Sequence, residues 1–335
     1  MNRIKILVSF ILGVTASSVL AQCCAGGSGS PIAGGASQGV LADRQMEIAS
    51  NFQYVNTENF YTGDKRDTGR YLDNFNSKYL YTRIAYGITK DLTMSVESGY
   101  WINKTEVGLD KVDTIASKGI GDLILFPRYD IFNRTEEGKR TELTVGLGFK
   151  LPLGKYNDSL KRIEPFSGDA YYITKPLAVQ TSSGANDLVF YAFFFRGYPL
   201  KNFRLFANAI YIKKGWNPVG EKLGDYASIG LFAGKTFFET LGITLQLKGE
   251  WVDKMKLNKN ILLYAYPNYD PEATGSRKVF FVPQLSYSYK THLTVFAYTE
   301  IPVYQYVTKT QIASQFQGTV GISFRFATVK CESEE

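Results

Sequence analysis

The chain has 335 residues, with 38 lysines and arginines against 31 aspartates and glutamates, one histidine, three cysteines and an aromatic content of 15%. That charge balance is too even for a nucleic-acid binder, and no basic run is present. A single histidine also leaves little material for imidazole-based catalysis or a zinc site.

The first element is a leader. Arg3 and Lys5 precede the apolar run "ILVSFILGV" (6–14), and small residues follow. This is the pattern of a secretory signal peptide over 1–21, with cleavage expected after Ala21 and a mature start at Gln22. A lipoprotein reading would acylate Cys23, but Gln22 stands where that pattern needs a small residue. Without Arg3 and Lys5 the count becomes 38 − 2 = 36 basic residues against 31 acidic ones. The exported chain has no stretch near the roughly 20 apolar residues of a membrane-spanning helix. It is therefore a soluble β-protein or an outer-membrane barrel. The glycine-rich stretch 22–43 is too poor in apolar residues to fold alone, and is expected to form a periplasmic segment or plug.

From residue 44 the pattern changes to period two. "MEIASNFQYV" (46–55) sets Met46, Ile48, Phe52 and Tyr54 against Glu47, Asn51 and Gln53. "LTVGLGFKL" (143–151) sets Leu143, Val145, Leu147, Phe149 and Leu151 against Thr144, Gly146, Gly148 and Lys150. Side chains alternate across a strand, so each such segment has one apolar and one polar face. Twelve strands are predicted, near 44–58, 78–89, 92–103, 120–132, 140–151, 187–196, 203–213, 226–237, 242–252, 278–289, 292–302 and 315–326.

A soluble sandwich would also alternate, so the connections decide. Those from odd to even strands are long: 59–77, 104–119, 152–186, 214–225, 253–277 and 303–314. Those from even to odd strands are short: 90–91, 133–139, 197–202, 238–241 and 290–291. Sorting by parity along an even number of strands is the layout of a transmembrane β-barrel, with long extracellular loops, short periplasmic turns and both termini periplasmic. The expected fold is all-β, a twelve-stranded antiparallel barrel over 44–326 with a periplasmic tail at 327–335. Tyr100, Trp101, Trp251, Tyr287 and Tyr289 are placed at strand ends as an interfacial girdle. The last strand ends on Phe326, an aromatic of the kind the barrel assembly machinery reads.

Three stretches resemble a known family. "GIGDLILFPRY" (119–129), "GLGFKLPLGKY" (146–156) and "SSGANDLVF" (182–190), in this order and spacing, resemble the outer-membrane channels associated with the meta-pathway of phenol degradation. That family is itself similar to the long-chain fatty-acid transporter barrels. The resemblance implies a barrel that lies in outer-membrane lipid and passes small, often hydrophobic molecules, with no catalytic residue and no cofactor. The motif residues themselves read mainly as scaffold. Gly119, Gly121, Gly146 and Gly148 allow bends and close approach, and Asp122 and Asp187 sit where they can fix loop backbone.

The lumen-facing set mixes signs. Arg83, Arg128, Lys150, Lys248 and Arg325 oppose Glu47, Glu97, Asp122, Asp130, Glu142, Glu250 and Glu300. Such a set either forms internal salt bridges or lines a route. "LVFYAFFF" (188–195) is apolar on both faces, so rings must point inward, and Phe126 joins them. The candidate substrate path is Phe126, Arg128, Tyr191, Phe193, Lys150 and Glu97, leading to a passive channel for small hydrophobic or aromatic molecules. A plugged barrel with partner-binding loops is the alternative. A hydrolase ranks last, because His292 falls in a periplasmic turn. Two connections are candidate lids or outer caps: 152–186, with Lys161, Arg162, Glu164, Tyr171, Tyr172 and Lys175, and "NILLYAYPNYDP" (260–271). Neighbouring Cα atoms are about 3.8 Å apart, too close for a relaxed Cys23–Cys24 bond, which needs about 4.4–6.8 Å. A disulfide from Cys23 or Cys24 to Cys331 is expected instead.

Overall fold

The computed structural model describes residues 39–69, 72–111, 114–136, 138–164, 166–258 and 270–328. Twelve strands form the wall: β1 (Gln45–Thr57), β2 (Asn74–Gly87), β3 (Leu92–Val107), β4 (Leu123–Glu136), β5 (Lys139–Leu151), β6 (Asp187–Tyr198), β7 (Phe203–Lys213), β8 (Tyr226–Phe237), β9 (Leu241–Val252), β10 (Ser276–Tyr289), β11 (Leu293–Ile312) and β12 (Phe316–Ala327). Each pairs antiparallel with the next. The sheet closes where β1 meets β12, from Gln45 opposite Ala327 to Asn56 opposite Phe316.

The reason for closure is visible in the two faces. Outward residues such as Ile48, Ile84, Met94, Leu147, Leu247, Phe281, Val295 and Ile322 are large, apolar and exposed. Inward residues such as Glu47, Arg83, Thr93, Glu97, Gln246, Lys248 and Glu300 are polar and buried. A water-soluble sandwich has the opposite arrangement. An apolar outer band around a polar interior suits a bilayer, where every backbone group must be paired and no sheet edge can be left open.

Five short turns lie at one end, after β2, β4, β6, β8 and β10, and the long connections lie at the other. Two boundaries differ from the sequence expectation. The turn expected at 133–139 is mostly strand, because Asn133–Glu136 pairs with Lys139–Glu142 despite its polarity. The expected loop 303–314 is mostly strand. Pairing of β11 with β12 stops at Glu300 opposite Gln317. The strand nevertheless runs on to Ile312, because Phe60–Gly63 supplies a new partner on its free edge. The residues of that extension are β-formers, but their partner lies some 250 positions away in sequence.

Candidate functional site

The barrel interior is divided into two walls. The first is aromatic. Phe126 on β4 meets Tyr191 on β6 edge-on at 5.5 Å between ring centroids. Phe193 follows Tyr191 at 6.5 Å and reaches Phe206 on β7 at 6.2 Å. Phe206 then stacks on Phe232 of β8 at 4.3 Å. Ile124, Val189, Ile210, Ile212 and Tyr226 complete the same buried cluster. A smaller patch, Phe280, Val282, Phe296 and Tyr298, lies on β10 and β11. Such ring pairs add about 0.5–1.5 kcal/mol each beyond their buried area.

Glycines make room for the start of this wall. A Cβ at Gly146 or Gly148 would lie 2.9 or 2.8 Å from the Phe126 ring. Gly148→Val therefore displaces that ring. The expected loss is about 1–3 kcal/mol, typical of overpacking, read as a lower urea midpoint for the folded barrel. An unchanged midpoint would mean that Phe126 is not seated on β5.

The second wall is ionic. Glu47 on β1 is held by both Arg83 of β2 and Arg325 of β12. Glu97 accepts from Tyr81 Oη at 2.6 Å and Ser95 Oγ at 2.9 Å. Lys248 pairs with Glu300 at 2.8 Å and Glu250 at 3.5 Å, and Arg140 with Glu142 at 2.9 Å. Arg128 sits where the walls meet, its Cζ 5.9 Å from the centre of the Phe126 ring. The charges assigned to the lumen from alternation do face inward, and most are paired. Glu47, Arg83, Glu97 and Arg128 are each no more than 1% exposed, packed among the other lumen side chains.

The three motif stretches converge at the long-loop end. Lys150 of the second bonds Asp122 of the first, and Asp187 (3.0 Å) and Ser183 Oγ (3.2 Å) of the third. Asp187 also accepts from the Gly215 backbone N–H at 3.0 Å, the loop-fixing role expected of it. Asp122 differs: its recorded partner is the Lys150 ammonium rather than backbone.

The long connection 152–186 divides into two parts. A hairpin of Ser159–Ile163 and Ala170–Thr174 stands exposed, with Tyr171 and Tyr172 facing out. Residues 179–182, 184 and 185 turn back into the mouth and are buried. There, Lys104 Nζ donates to Gln180 O at 2.9 Å and Trp101 Nε1 to Thr181 O at 3.2 Å. Gln180 spans the base of the loop, donating to Asp158 O and Lys175 O and accepting from Asp158 N. Lys175 grips Asp158 at 2.6 Å, and that hydrogen bond holds the Asp158 carboxyl below the usual carboxylate range.

This corrects the expected girdle. Tyr100, Trp251, Tyr287 and Tyr289 point outward and are exposed. Trp101, next to Tyr100, must point inward, and it packs on Tyr79 at 4.3 Å. At the short-turn end, residues 39–43 cross the opening. Leu41 N donates to Thr93 Oγ1 at 2.7 Å, and Gly39 lies against the Glu142 carboxylate with no space for a Cβ. His292 lies in the short turn Lys290–His292, exposed, with Nδ1 3.1 Å from Arg325 O. Cys23, Cys24 and Cys331, most of 22–43 and residues 260–269 of the lid candidate 260–271 lie outside the described residues. Phe206, Phe232, Phe280 and Phe296 were not singled out in the sequence, although Phe206 shares its face with Arg204 and Asn208, and Phe280 with Lys278 and Gln284.

No protein-family model and no curated protein matches the sequence. Among solved structures the chain is similar to an outer membrane channel from Pseudomonas putida F1, at 12% identity and a TM-score of 0.59, over 86% of this chain and 97% of that one. It is more loosely similar to the P. putida toluene transporter TodX, at 8% identity and a TM-score of 0.39 over 87% and 91% of the two chains. A Pseudomonas aeruginosa FadL homologue matches at 6% identity and a TM-score of 0.40 over 86% and 91%. The first likeness establishes the fold, an outer-membrane barrel.

Proposed function

We propose that this chain is an outer-membrane facilitator through which small apolar or aromatic molecules pass down a gradient. The long loops face the exterior, and the short turns and both termini face the periplasm. The observation that carries the reading is the unbroken aromatic wall from Phe126 through Tyr191, Phe193 and Phe206 to Phe232. A channel for small ions gains nothing from such a surface. An apolar solute stays desolvated along it, while the ion pairs elsewhere in the lumen keep their charges satisfied internally. Movement of the lumen side chains then admits the solute. The resemblance of the motif stretches to phenol-pathway channels points the same way, as does the barrel fold shared with an outer membrane channel. Outer-membrane lipid and the barrel assembly machinery are the remaining partners of this reading.

Replacing both Tyr191 and Phe193 with Asp puts two carboxylates along the route, each costlier to leave unhydrated beside an apolar solute than the roughly 2–7 kcal/mol of a neutral polar group. Uptake of a hydrophobic probe by cells is expected to fall at least about tenfold at matched surface levels. Equal uptake by variant and parent removes these residues from the path.

A plugged, partner-binding barrel is favoured by one feature, the crossing of the short-turn mouth by residues 39–43. Deleting 22–43 tests it. The facilitator reading treats this segment as a removable plug, so conductance in planar bilayers is expected to rise. Unchanged conductance argues against a plug there.

A further inference from the structure

We infer that the outer wall of the barrel carries a docking site for a phosphorylated lipid of the outer leaflet, centred on Arg277. The inference rests on the orientation proposed above, with the long loops outward, and is independent of what passes through the lumen.

Cross-strand register builds the site. Trp251 of β9 lies opposite Arg277 of β10, and Arg277 lies opposite Tyr306 of β11. All three are exposed on the outer face, next to lumen-facing Glu250, Lys278 and Gln305 on their own strands. Directly opposed side chains on one face of a sheet start only about 4.5–5.5 Å apart. The guanidinium therefore emerges between an indole and a phenol.

Strand geometry sets the level of this row. Tyr287, on the same face of β10, is exposed at the short-turn girdle. It lies ten positions from Arg277, roughly 34 Å along a strand at about 3.4 Å per residue. A tilt of about 35–45° reduces this to roughly 25 Å along the membrane normal, the height of the apolar band. Between the two, the outward positions Val279, Phe281, Pro283 and Leu285 are uncharged. Arg277 thus stands at the far edge of the band, where the headgroups of the outer leaflet begin.

Its charge is left for the lipid to answer. Other cations at this end are paired within the protein: Lys213 with Asp225 at 3.1 Å, Lys309 with Asp270 at 2.6 Å, and Lys254 with Glu272. Among the described residues, Arg277 has no carboxylate partner. A fixed cation at headgroup level selects an anion, and the planar guanidinium fork matches phosphate oxygens. The flanking rings suit the same place, with an apolar body toward acyl chains and a polar tip toward water. The occupant this chemistry fits is the phosphorylated sugar of lipid A.

The test titrates the full-length barrel in detergent with lipid A, read by native mass spectrometry. Arg277→Gln should weaken binding about tenfold, the loss of one charge-assisted contact. Arg277→Lys should recover part of it, because a lysine keeps the charge without the fork. Lys90→Gln, at an exposed short-turn cation, should bind as the parent does. Equal affinity in parent and Arg277→Gln overturns the site, as does equal affinity of the parent for lipid A and its dephosphorylated form. Displacement of lipid A by excess inorganic phosphate would mark a soluble-anion site and overturn the lipid assignment. Arg277-dependent preference for phosphatidylglycerol, a lipid of the periplasmic leaflet, would overturn the orientation instead.

Discussion

Glu47→Ala is expected to be the most damaging single substitution in the barrel wall, costing about 3–5 kcal/mol, the range for removing one partner of a buried ion pair. Glu47 lies on the first strand and is fully buried between Arg83 of β2 and Arg325 of β12. Its removal leaves two guanidinium groups facing each other across the seam where the sheet closes. That seam joins residues nearly 280 positions apart, so it carries the largest loop-closure cost of any strand pair. Glu47→Gln keeps the shape and some hydrogen bonding, and should cost less than Glu47→Ala. Adding Arg83→Met to Glu47→Ala should restore part of the loss, since a buried charge then disappears with its partner. Urea unfolding of the barrel in lipid reads all three. A loss below about 1 kcal/mol for Glu47→Ala, the level of an ordinary hydrogen bond, would show that the triad does not brace the seam.

The parts of this molecule legible in its sequence are those governed by a period of two. Glu47, Arg83, Glu97, Lys150 and Lys248 fall on a polar face whichever way the strand is drawn, and all face the lumen. β6 is apolar on both faces, so rings must point inward, and Tyr191 and Phe193 do. β7 carries a signal of its own: the polar Arg204 and Asn208 share a face with Phe206 and Ile210, which are buried, while Leu205 and Tyr211 are exposed. Trp101 was misplaced because aromatic residues at a strand end look alike. Only strict alternation with Tyr100 turns it inward, and a bulge opposite Lys78 and Tyr79 blurs the count. Distance in sequence hides the rest. The extension of β11 depends on a hairpin near residue 60, and the three motif stretches share one lysine, Lys150, that no single stretch identifies.

Replacing residues 177–184 with a short glycine-serine linker is expected to open the long-loop mouth, turning a barrel of minimal conductance into one with a resolved open level in planar bilayers. The segment is held by Lys104 to Gln180, Trp101 to Thr181, Lys150 to Ser183 Oγ and Asn217 to Ser183 O. At about 0.5–1.5 kcal/mol net for each ordinary hydrogen bond and more for those from lysine, these contacts hold it closed nearly all the time. Lys104→Ala should give brief openings rather than a stable open level, because three anchors remain. Shortening the exposed hairpin between Ile163 and Ala170 removes no anchor and should leave conductance unaltered. The Lys175–Asp158 pair adds a pH limit. Its hydrogen bond lowers the Asp158 pKa, so the stabilisation is present above the ordinary carboxylate pKa of about 3.9 and fades as pH falls through the lower, folded value. Openings should thus be independent of pH through the neutral and mildly acidic range and increase only below about pH 4. Parent-like conductance after replacement of 177–184 would mean that this segment is not the seal.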